Sequence, residues 1–303
     1  MVISEARKPA YSLEENQSDL IPWYVVGAVA LICAAALILI SLLGPLVLNT
    51  IHYRTTQSGI WQTEGQDLTD LILVTPILVM GGILHLLRRA SSRYFLVLPP
   101  ITLIYTGLSY GIGQEWSDTS LSGNVQDFFW LYLTLIIGGL VLLIGSLSLF
   151  SESDAPHFRM KSLRIYVGLM SFFLLVFGAM WVSQVSQVIN TGDLSDGSYI
   201  SAPTVFWSIR YLDLGFTIPL GFLALFLLWS KPRRAYPLVL LFFGFFITMG
   251  TAVNAMGSIM VVRGGSSISS FAIFPVLGIL AYAGFFYLVK DKLPWNRHPA
   301  LQP

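Results

Sequence analysis

The chain carries few charged residues. Only 11% of its 303 residues are Asp, Glu, Lys or Arg, against about a quarter in soluble globular proteins. Hydrophobic residues make up 55% of the chain, and the mean hydropathy is +0.71. This composition excludes a separate soluble domain of ordinary size. The net charge of +1 gives no reason to expect a nucleic-acid partner.

Cysteine and catalytic motifs are also scarce. The single cysteine, Cys33, excludes an intrachain disulfide framework and a cysteine-based metal site. The sequence contains no His-Glu-x-x-His, no Gly-x-Ser-x-Gly and no glycine-rich Lys-Ser/Thr phosphate loop. We therefore predict a protein that is not an enzyme and that holds no cofactor and no metal. The alternative is an unrecognised membrane enzyme.

Long apolar segments dominate what the chain does contain. Runs of about 20 apolar residues are long enough to cross a bilayer as helices. Eight such segments are found, at 22–49, 69–87, 94–112, 128–150, 163–188, 211–229, 236–262 and 268–289. The sequence therefore predicts an all-α integral membrane bundle of eight transmembrane helices.

The loops between these segments alternate in positive charge. Fourteen of the 17 basic residues fall in one set of loops and tails, and only Arg54, Arg210 and Arg263 fall in the other. Because Lys and Arg accumulate on the cytoplasmic side, we expect both termini in the cytoplasm of a bacterial or archaeal cell, with the bundle in its plasma membrane. Aromatic residues near the segment ends, Tyr132 among them, are expected to anchor the bundle at the lipid headgroups.

The second half of the chain echoes the first. Asp70 and Asp213 each begin an apolar segment six residues before a proline, Pro76 or Pro219, and a polar outer loop with a tryptophan precedes each. Four helices per half predict a parallel 4+4 repeat; the alternative is chance similarity between helices. The division is a cytoplasmic arm at 1–21, a first repeat at 22–150, a linker at 151–162, a second repeat at 163–289 and a cytoplasmic tail at 290–303.

Polar residues at the outer ends of these segments allow two interpretations. In the first, acidic residues cap helix N-termini and Arg210 forms an interfacial ion pair with Asp213. In the second, charged side chains line one outward-facing vestibule, because a charge inside a membrane protein usually marks a functional site. The candidate vestibule residues are Asp67, Asp70, Asp213, Arg210, Arg54 and Glu115.

Two polar residues are candidates for the middle of the membrane. Asn254 lies in the seventh segment, and Thr217 lies about two turns into the sixth. An asparagine at such a depth either bonds a neighbouring helix or contacts a substrate. Both alternatives stay open at the level of sequence.

Two families share motifs with this chain. Arg210-Tyr211-Leu212-Asp213 followed by Pro219 resembles the third helix of microbial rhodopsins, whose aspartate is the retinal counter-ion, but segment 268–289 lacks the lysine that retinal requires. A wider resemblance is carried by Tyr53-Arg54-Thr55, Gly65-Gln66-Asp67, Tyr110-Gly111, Leu212-Asp213-Leu214-Gly215, Pro219-Leu220, Tyr236, Met249-Gly250 and Ala255-Met256. On these motifs the chain resembles a family of uncharacterised bacterial multi-pass membrane proteins. The resemblance implies the fold and the importance of Asp67 and Asp213, and no activity.

Two functions from different classes are consistent with the sequence. The first is a non-enzymatic transporter-like protein for a small solute or ion, which would enter through the outer Asp and Arg side chains. The second is an accessory or sensory membrane protein that packs against a membrane-protein partner, without transport or catalysis. The lipid bilayer is the partner common to both.

Overall fold

A computed structural model describes residues 20–191, 202–265 and 272–290, together with Tyr199 and Lys292. Helices account for 79% of the structure, and no β-strand occurs among the described residues. The all-α fold is therefore confirmed for this part of the chain. The predicted cytoplasmic arm, apart from Leu20 and Ile21, and most of the predicted cytoplasmic tail lie outside the described residues.

The helices follow one another with short connections. In chain order they are α1 (Trp23–Leu43), α2 (Gln57–Thr69), α3 (Thr75–Leu86), α4 (Ser92–Leu96), α5 (Pro100–Gly111), α6 (Phe129–Ser148), α7 (Met160–Thr191), α8 (Pro203–Leu212), α9 (Ile218–Ser230), α10 (Pro232–Val262) and α11 (Ile273–Val289). A π-helical turn, Asp70–Val74, joins α2 to α3, and a second one, Asp213–Thr217, joins α8 to α9.

Six described helical spans are long and apolar enough to cross a membrane: Trp23–Leu43, Gln57–Leu86, Val125–Ser148, Met160–Asn190, Pro203–Ser230 and Pro232–Val262. These are the features of a multi-pass membrane protein. The predicted segment 94–112 is divided into α4 and α5 at Pro99-Pro100, because proline lacks the amide hydrogen that a helix needs and clashes with the preceding turn. The predicted segment 268–289 is represented by α11, which has 17 residues.

Two spans begin well before the boundaries that hydropathy indicated. The helix that contains the predicted segment 69–87 begins at Gln57, and the helix that contains the predicted segment 211–229 begins at Pro203. Trp61 and Trp207, expected in outer loops, therefore lie in helices. Hydropathy placed these boundaries too late because both stretches contain polar residues, and the helices continue through them where residues such as Gln66 and Arg210 are buried against other helices.

The π-helical turns explain how two proline-containing spans remain continuous. In each turn an amide five residues later bonds the carbonyl of the acidic residue: Thr75 bonds Asp70, and Ile218 bonds Asp213. The wider turn accommodates the rings of Pro76 and Pro219, whose clash would otherwise fall on the carbonyl four residues earlier. The expectation that Asp70 and Asp213 begin helices is therefore wrong, and neither caps a helix N-terminus.

Helix contacts follow a similar pattern in the two halves of the chain. In the first half α1 packs against α3 and α6, and α5 packs against α6. In the second half α7 packs against α9 and α11, and α10 packs against α11. The halves meet where α2 packs against α10 and where α5 packs against α8 and α10. The helix α10 is the most deeply buried of the six long spans.

Two glycines bring helix backbones together at this junction. A Cβ atom at Gly65 of α2 would lie 2.5 Å from the Cα atom of Met256 in α10. A Cβ atom at Gly244 of α10 would lie 2.5 Å from the Cα atom of Leu98, between α4 and α5. Because both contacts are with backbone, any side chain at these positions would push the helices apart.

The linker between the halves is fixed by ion pairs on its own side of the bundle. Asp154 forms a bidentate pair with Arg93, at 2.7 and 2.8 Å. Glu152 accepts a hydrogen bond from Arg234 at 2.8 Å. Arg93 and Arg234 belong to the short basic connections of the first and second half, so the linker contacts both.

Replacement of Gly65 by Ala is expected to lower the apparent free energy of unfolding by about 1–3 kcal/mol, the usual cost of overpacking. The physical reason is the forced separation of α2 from α10. Thermal unfolding in a mild detergent, followed by far-ultraviolet circular dichroism, would measure the change. The matched control is Gly168→Ala in α7, where a Cβ atom meets nothing within 4 Å. Equal transition temperatures for the two variants would contradict the close contact.

Candidate functional site

Three polar side chains of the α2–α3 span form the first acidic cluster: Gln66, Asp67 and Asp70. All three are buried, with at most 2% of each residue exposed. The Gln66 amide donates a hydrogen bond from Nε2 to Asp70 Oδ1 at 2.9 Å, the pairing expected for residues four apart on one helix. Asp70 follows Gln57 by 13 residues and precedes Leu86 by 16, so the cluster lies in the middle of the span.

Several oxygen atoms of the first acidic cluster have no hydrogen-bond partner. Asp67 Oδ2, Asp70 Oδ2 and Gln66 Oε1 are buried and accept no hydrogen bond from any described residue. The Asp67 carboxylate packs directly on Gly44, where the chain leaves α1 and where any Cβ atom would clash with it. Buried polar atoms without partners lower stability, because they lose hydrogen bonds to water and gain none within the protein.

Buried tyrosines lie next to the first acidic cluster. The hydroxyl groups of Tyr53 and Tyr132 are 2.7 Å apart, and the Tyr53 and Tyr110 rings make an edge contact at 5.7 Å. All three phenol groups lie within electrostatic range of Asp67. The prediction that Tyr132 anchors the bundle at the headgroups is wrong, because its ring packs into the first-half core and its hydroxyl bonds Tyr53.

Asp213 is the centre of a second polar cluster. Its Oδ2 atom accepts a hydrogen bond from Trp181 Nε1 at 2.8 Å, and its Oδ1 atom accepts one from the Tyr105 hydroxyl at 3.2 Å. The Trp181 bond comes from α7 and the Tyr105 bond from α5, so this carboxylate links both halves of the chain. A cavity of about 30 Å³ lies beside Asp213 and Thr217, with aromatic rings on its other walls. Such a volume is enough for a water molecule.

Arg210 occupies the helical turn before Asp213. Its guanidinium group donates to Gln184 Oε1 and, at 3.5 Å, to the Phe206 carbonyl oxygen. The same group lies over the Trp181 ring, 4.2 Å from the ring centroid. Arg210 and Asp213 therefore contact the same indole, the cation through the ring face and the carboxylate through the N–H group.

Glu115 and Arg54 lie in connections between helices, at the end of the bundle that is predicted to face outward. The Glu115 carboxylate accepts hydrogen bonds from the backbone amides of Thr204 and Val205, at 3.0 and 3.2 Å, in the first turn of α8. An anion at a helix N-terminus is stabilised by the unpaired amides and by the helix dipole. The backbone of Arg54 is held by Gln114 and Glu115, and its guanidinium group lies 5.8 Å from the centroid of the Trp116 ring.

The two candidates for the middle of the membrane have different surroundings. Thr217 is buried and borders the cavity beside Asp213. Asn254 donates from Nδ2 to the carbonyl oxygen of Gly250, one turn earlier in its own helix, at 2.7 Å. This bond is neither the contact with a neighbouring helix nor the contact with a substrate that the sequence suggested.

The structure divides the predicted vestibule into three parts. Asp67 and Asp70 belong to the first cluster, Asp213 and Arg210 belong to the second, and Glu115 and Arg54 belong to the outer connections. The five residues apart from Arg54 are no more than 8% exposed. In this structure they do not face open solvent, so a single outward-facing vestibule stays a prediction.

Sequence analysis missed the uncharged partners of these acids. Gln66 could have been found, because it lies four residues before Asp70 on the same helix face. Tyr105 and Trp181 could not, because each is brought to the Asp213 carboxylate by contacts between distant parts of the chain. Among the described residues no group of three or more His, Cys, Asp or Glu side chains could hold a metal ion.

Comparison of the chain with protein-family models, with curated proteins and with solved structures finds no match. The resemblance to uncharacterised bacterial multi-pass membrane proteins therefore stays a prediction.

Trp181→Phe is expected to destabilise the protein by about 1–3 kcal/mol, because it leaves a buried carboxylate oxygen of Asp213 without its donor. In an Asp213→Leu background the same change should cost less, and the coupling between the two should be about 0.5–3 kcal/mol. Thermal unfolding of the four proteins by circular dichroism gives this cycle. Trp130→Phe, a change at a residue 73% exposed, is the control. Strict additivity would show that the indole and carboxylate do not interact.

Proposed function

We propose that the protein is a membrane-embedded, transporter-like protein that binds a small cation, a proton or Na⁺, at the first acidic cluster. The observation that carries the proposal is the set of unpartnered oxygens on Gln66, Asp67 and Asp70, which are buried inside the bundle where the apolar part of the α2–α3 span begins. No catalytic step is part of the proposal.

The chemistry of the first acidic cluster favours a cation. Two carboxylates three residues apart on one helix repel each other when both are charged, and an apolar surrounding strengthens that repulsion. A proton or a small hard cation relieves it, and carboxylate and amide oxygens are the ligands such ions prefer. Acidic residues buried inside membrane proteins often mark ion or proton pathways for the same reason.

The arrangement of the helices is consistent with a transporter built from two parallel repeats. We propose eight membrane crossings, with α4 and α5 together forming the third and α11 the eighth, and with both termini in the cytoplasm. Two observations support a 4+4 repeat: the matching helix contacts within each half, and the π-helical turns that begin at Asp70 and Asp213. Single π-helical turns inside longer helices are frequent at functional sites.

The second polar cluster, around Asp213, is consistent with the same function but has a different role in it. Asp213 occupies the position in the second half that Asp70 occupies in the first, but both of its oxygens accept hydrogen bonds. We propose that the first acidic cluster binds the cation, whereas Asp213 and its small cavity form part of the path or stabilise the junction of the halves.

A second candidate function is favoured by the close contacts of the helices. Gly65 and Gly244 place α10 against the backbone on two sides, which suits a rigid bundle that serves as an accessory or sensory protein for a membrane-protein partner. Under this alternative the buried acids maintain the packing of the bundle and no ion crosses it.

Transport of ²²Na⁺ and of protons into proteoliposomes tests the first proposal. We expect uptake of one of the two cations, measured with ²²Na⁺ or with an internal pH dye, to exceed that of empty liposomes. Asp70→Asn should slow it by roughly tenfold or more, because a hydrogen bond or ligand contact to a charged group contributes about 1.5–3 kcal/mol. Glu64→Gln is the matched control, since Glu64 lies on the same helix but pairs with Arg263 at 3.2 Å.

If neither cation enters faster than into empty liposomes, or if Asp70→Asn transports as well as the wild type, the transport proposal is wrong. Cysteine labelling then distinguishes an open path from a closed bundle. In a Cys33→Ala background, single cysteines at Asp213, Thr217, Leu220 and Asn254 are treated with a membrane-impermeant thiol reagent. Labelling as far as Asn254 requires a water-filled path, whereas labelling that ends at Asp213 supports the accessory function.

A further inference from the structure

An apolar groove lies on the side of the second half, away from both acidic clusters. It has a volume of about 210 Å³ and is lined by Leu163, Tyr166, Leu228, Phe243, Gly284 and Leu288, from four different helices. We call it the α7–α11 groove, since the exposed residues Ser162 of α7 and Ala283 of α11 form its opening.

The wall of the α7–α11 groove is formed mainly by apolar side chains. The hydroxyl of the lining residue Tyr166 donates to the Leu280 carbonyl oxygen at 2.6 Å and is thereby satisfied within the protein. Gly284 keeps the space open, because a Cβ atom there would clash with the Tyr166 hydroxyl and lie 2.7 Å from the Phe243 ring. The groove therefore offers an occupant hydrocarbon contact and few hydrogen bonds.

Positive charge borders one end of the α7–α11 groove. Lys161 and Arg164 are exposed and flank the lining residues Ser162 and Leu163. The Arg164 guanidinium group lies 5.4 Å from the centroid of the Trp229 ring, and Lys290 lies 4.8 Å from that of Tyr287, so both cations are held beside the groove.

The acidic residues of the linker do not neutralise Lys161 or Arg164. Glu152 and Asp154 are paired with Arg234 and Arg93 instead. Among the described residues, Lys161 and Arg164 take part in no ion pair.

We propose that the α7–α11 groove binds one anionic phospholipid, with a stretch of an acyl chain in the groove and the phosphate at Lys161 and Arg164. Charge complementarity identifies this occupant, because an apolar slot with basic residues at its membrane-surface end matches the two parts of such a lipid. The groove is smaller than the roughly 300–1,000 Å³ of ordinary small-molecule sites, which suits a chain better than a compact ligand. This site is independent of the proposed cation site.

Native mass spectrometry of the full-length protein in a mild detergent tests the lipid site. Phosphatidylglycerol and phosphatidylcholine with identical acyl chains are the two probes. The wild type should retain one phosphatidylglycerol in preference to phosphatidylcholine. The double variant Lys161→Gln/Arg164→Gln should reduce that retention by roughly tenfold, because each basic residue near the surface attracts an anionic lipid. The control Arg88→Gln/Arg89→Gln removes two exposed charges from the connection between α3 and α4 in the first half and should leave retention unchanged.

A second pair of variants tests the groove itself. Ala283→Phe places a ring in the opening and should abolish retention of phosphatidylglycerol, whereas Ile279→Phe, at an exposed position one turn away on α11, should not. Equal retention of the two lipids by the wild type would overturn the proposal and leave only ordinary contact with bulk lipid. Equal losses in both double-charge variants would overturn it as well. If Ala283→Phe does not fold, the charge variants, which change exposed residues, still decide.

Discussion

Polar groups inside this apolar bundle need partners on the protein itself, because neither lipid tails nor packed hydrocarbon can provide a hydrogen bond. The backbone meets this constraint through helical hydrogen bonds. The π-helical turns at Asp70 and Asp213 continue the hydrogen bonding past two prolines without breaking the spans. For the side chains it is met by indole, phenol and amide groups from other parts of the chain. Whether a buried acid has hydrogen-bond partners therefore depends on which of these groups the packing of the helices brings to it.

The two halves of the chain satisfy this constraint to different degrees. Asp213 is surrounded by donors, with Trp181 on one oxygen and Tyr105 on the other. Asp70 accepts a hydrogen bond from the Gln66 amide and Asp67 interacts with the backbone of Leu46, yet each retains a buried oxygen without a partner. Asp70 and Asp213 each occupy the start of a π-helical turn, so the two halves can be compared directly. The contrast in their hydrogen bonds is the main reason for assigning cation binding to the first half and a structural or path role to the second.

The junction of the halves combines rigidity with buried charge. Helix α10 packs against the backbone of α2 at Gly65 and against Leu98 through Gly244, and Thr102 of α5 bonds Thr248 of α10 at 2.5 Å. A transporter with this junction would move its halves around α10 and α5. An accessory protein would use the same contacts to stay fixed. The α7–α11 groove lies outside this junction, so a lipid bound there would contact the second half alone.

The sequence by itself determined the all-helical fold and the apolar cores of the long spans, because hydrophobic runs act locally. It did not determine that α2 and α8 extend through the polar residues before Asp70 and Asp213, since burial against α10 and other helices overrode their polarity. Only the tertiary structure decided that Trp181 and Tyr105 serve Asp213, that Glu115 caps α8, and that Asp67 and Asp70 retain unpartnered oxygens. Those relations join residues far apart in the chain, and hydropathy carries no information about which distant side chains meet.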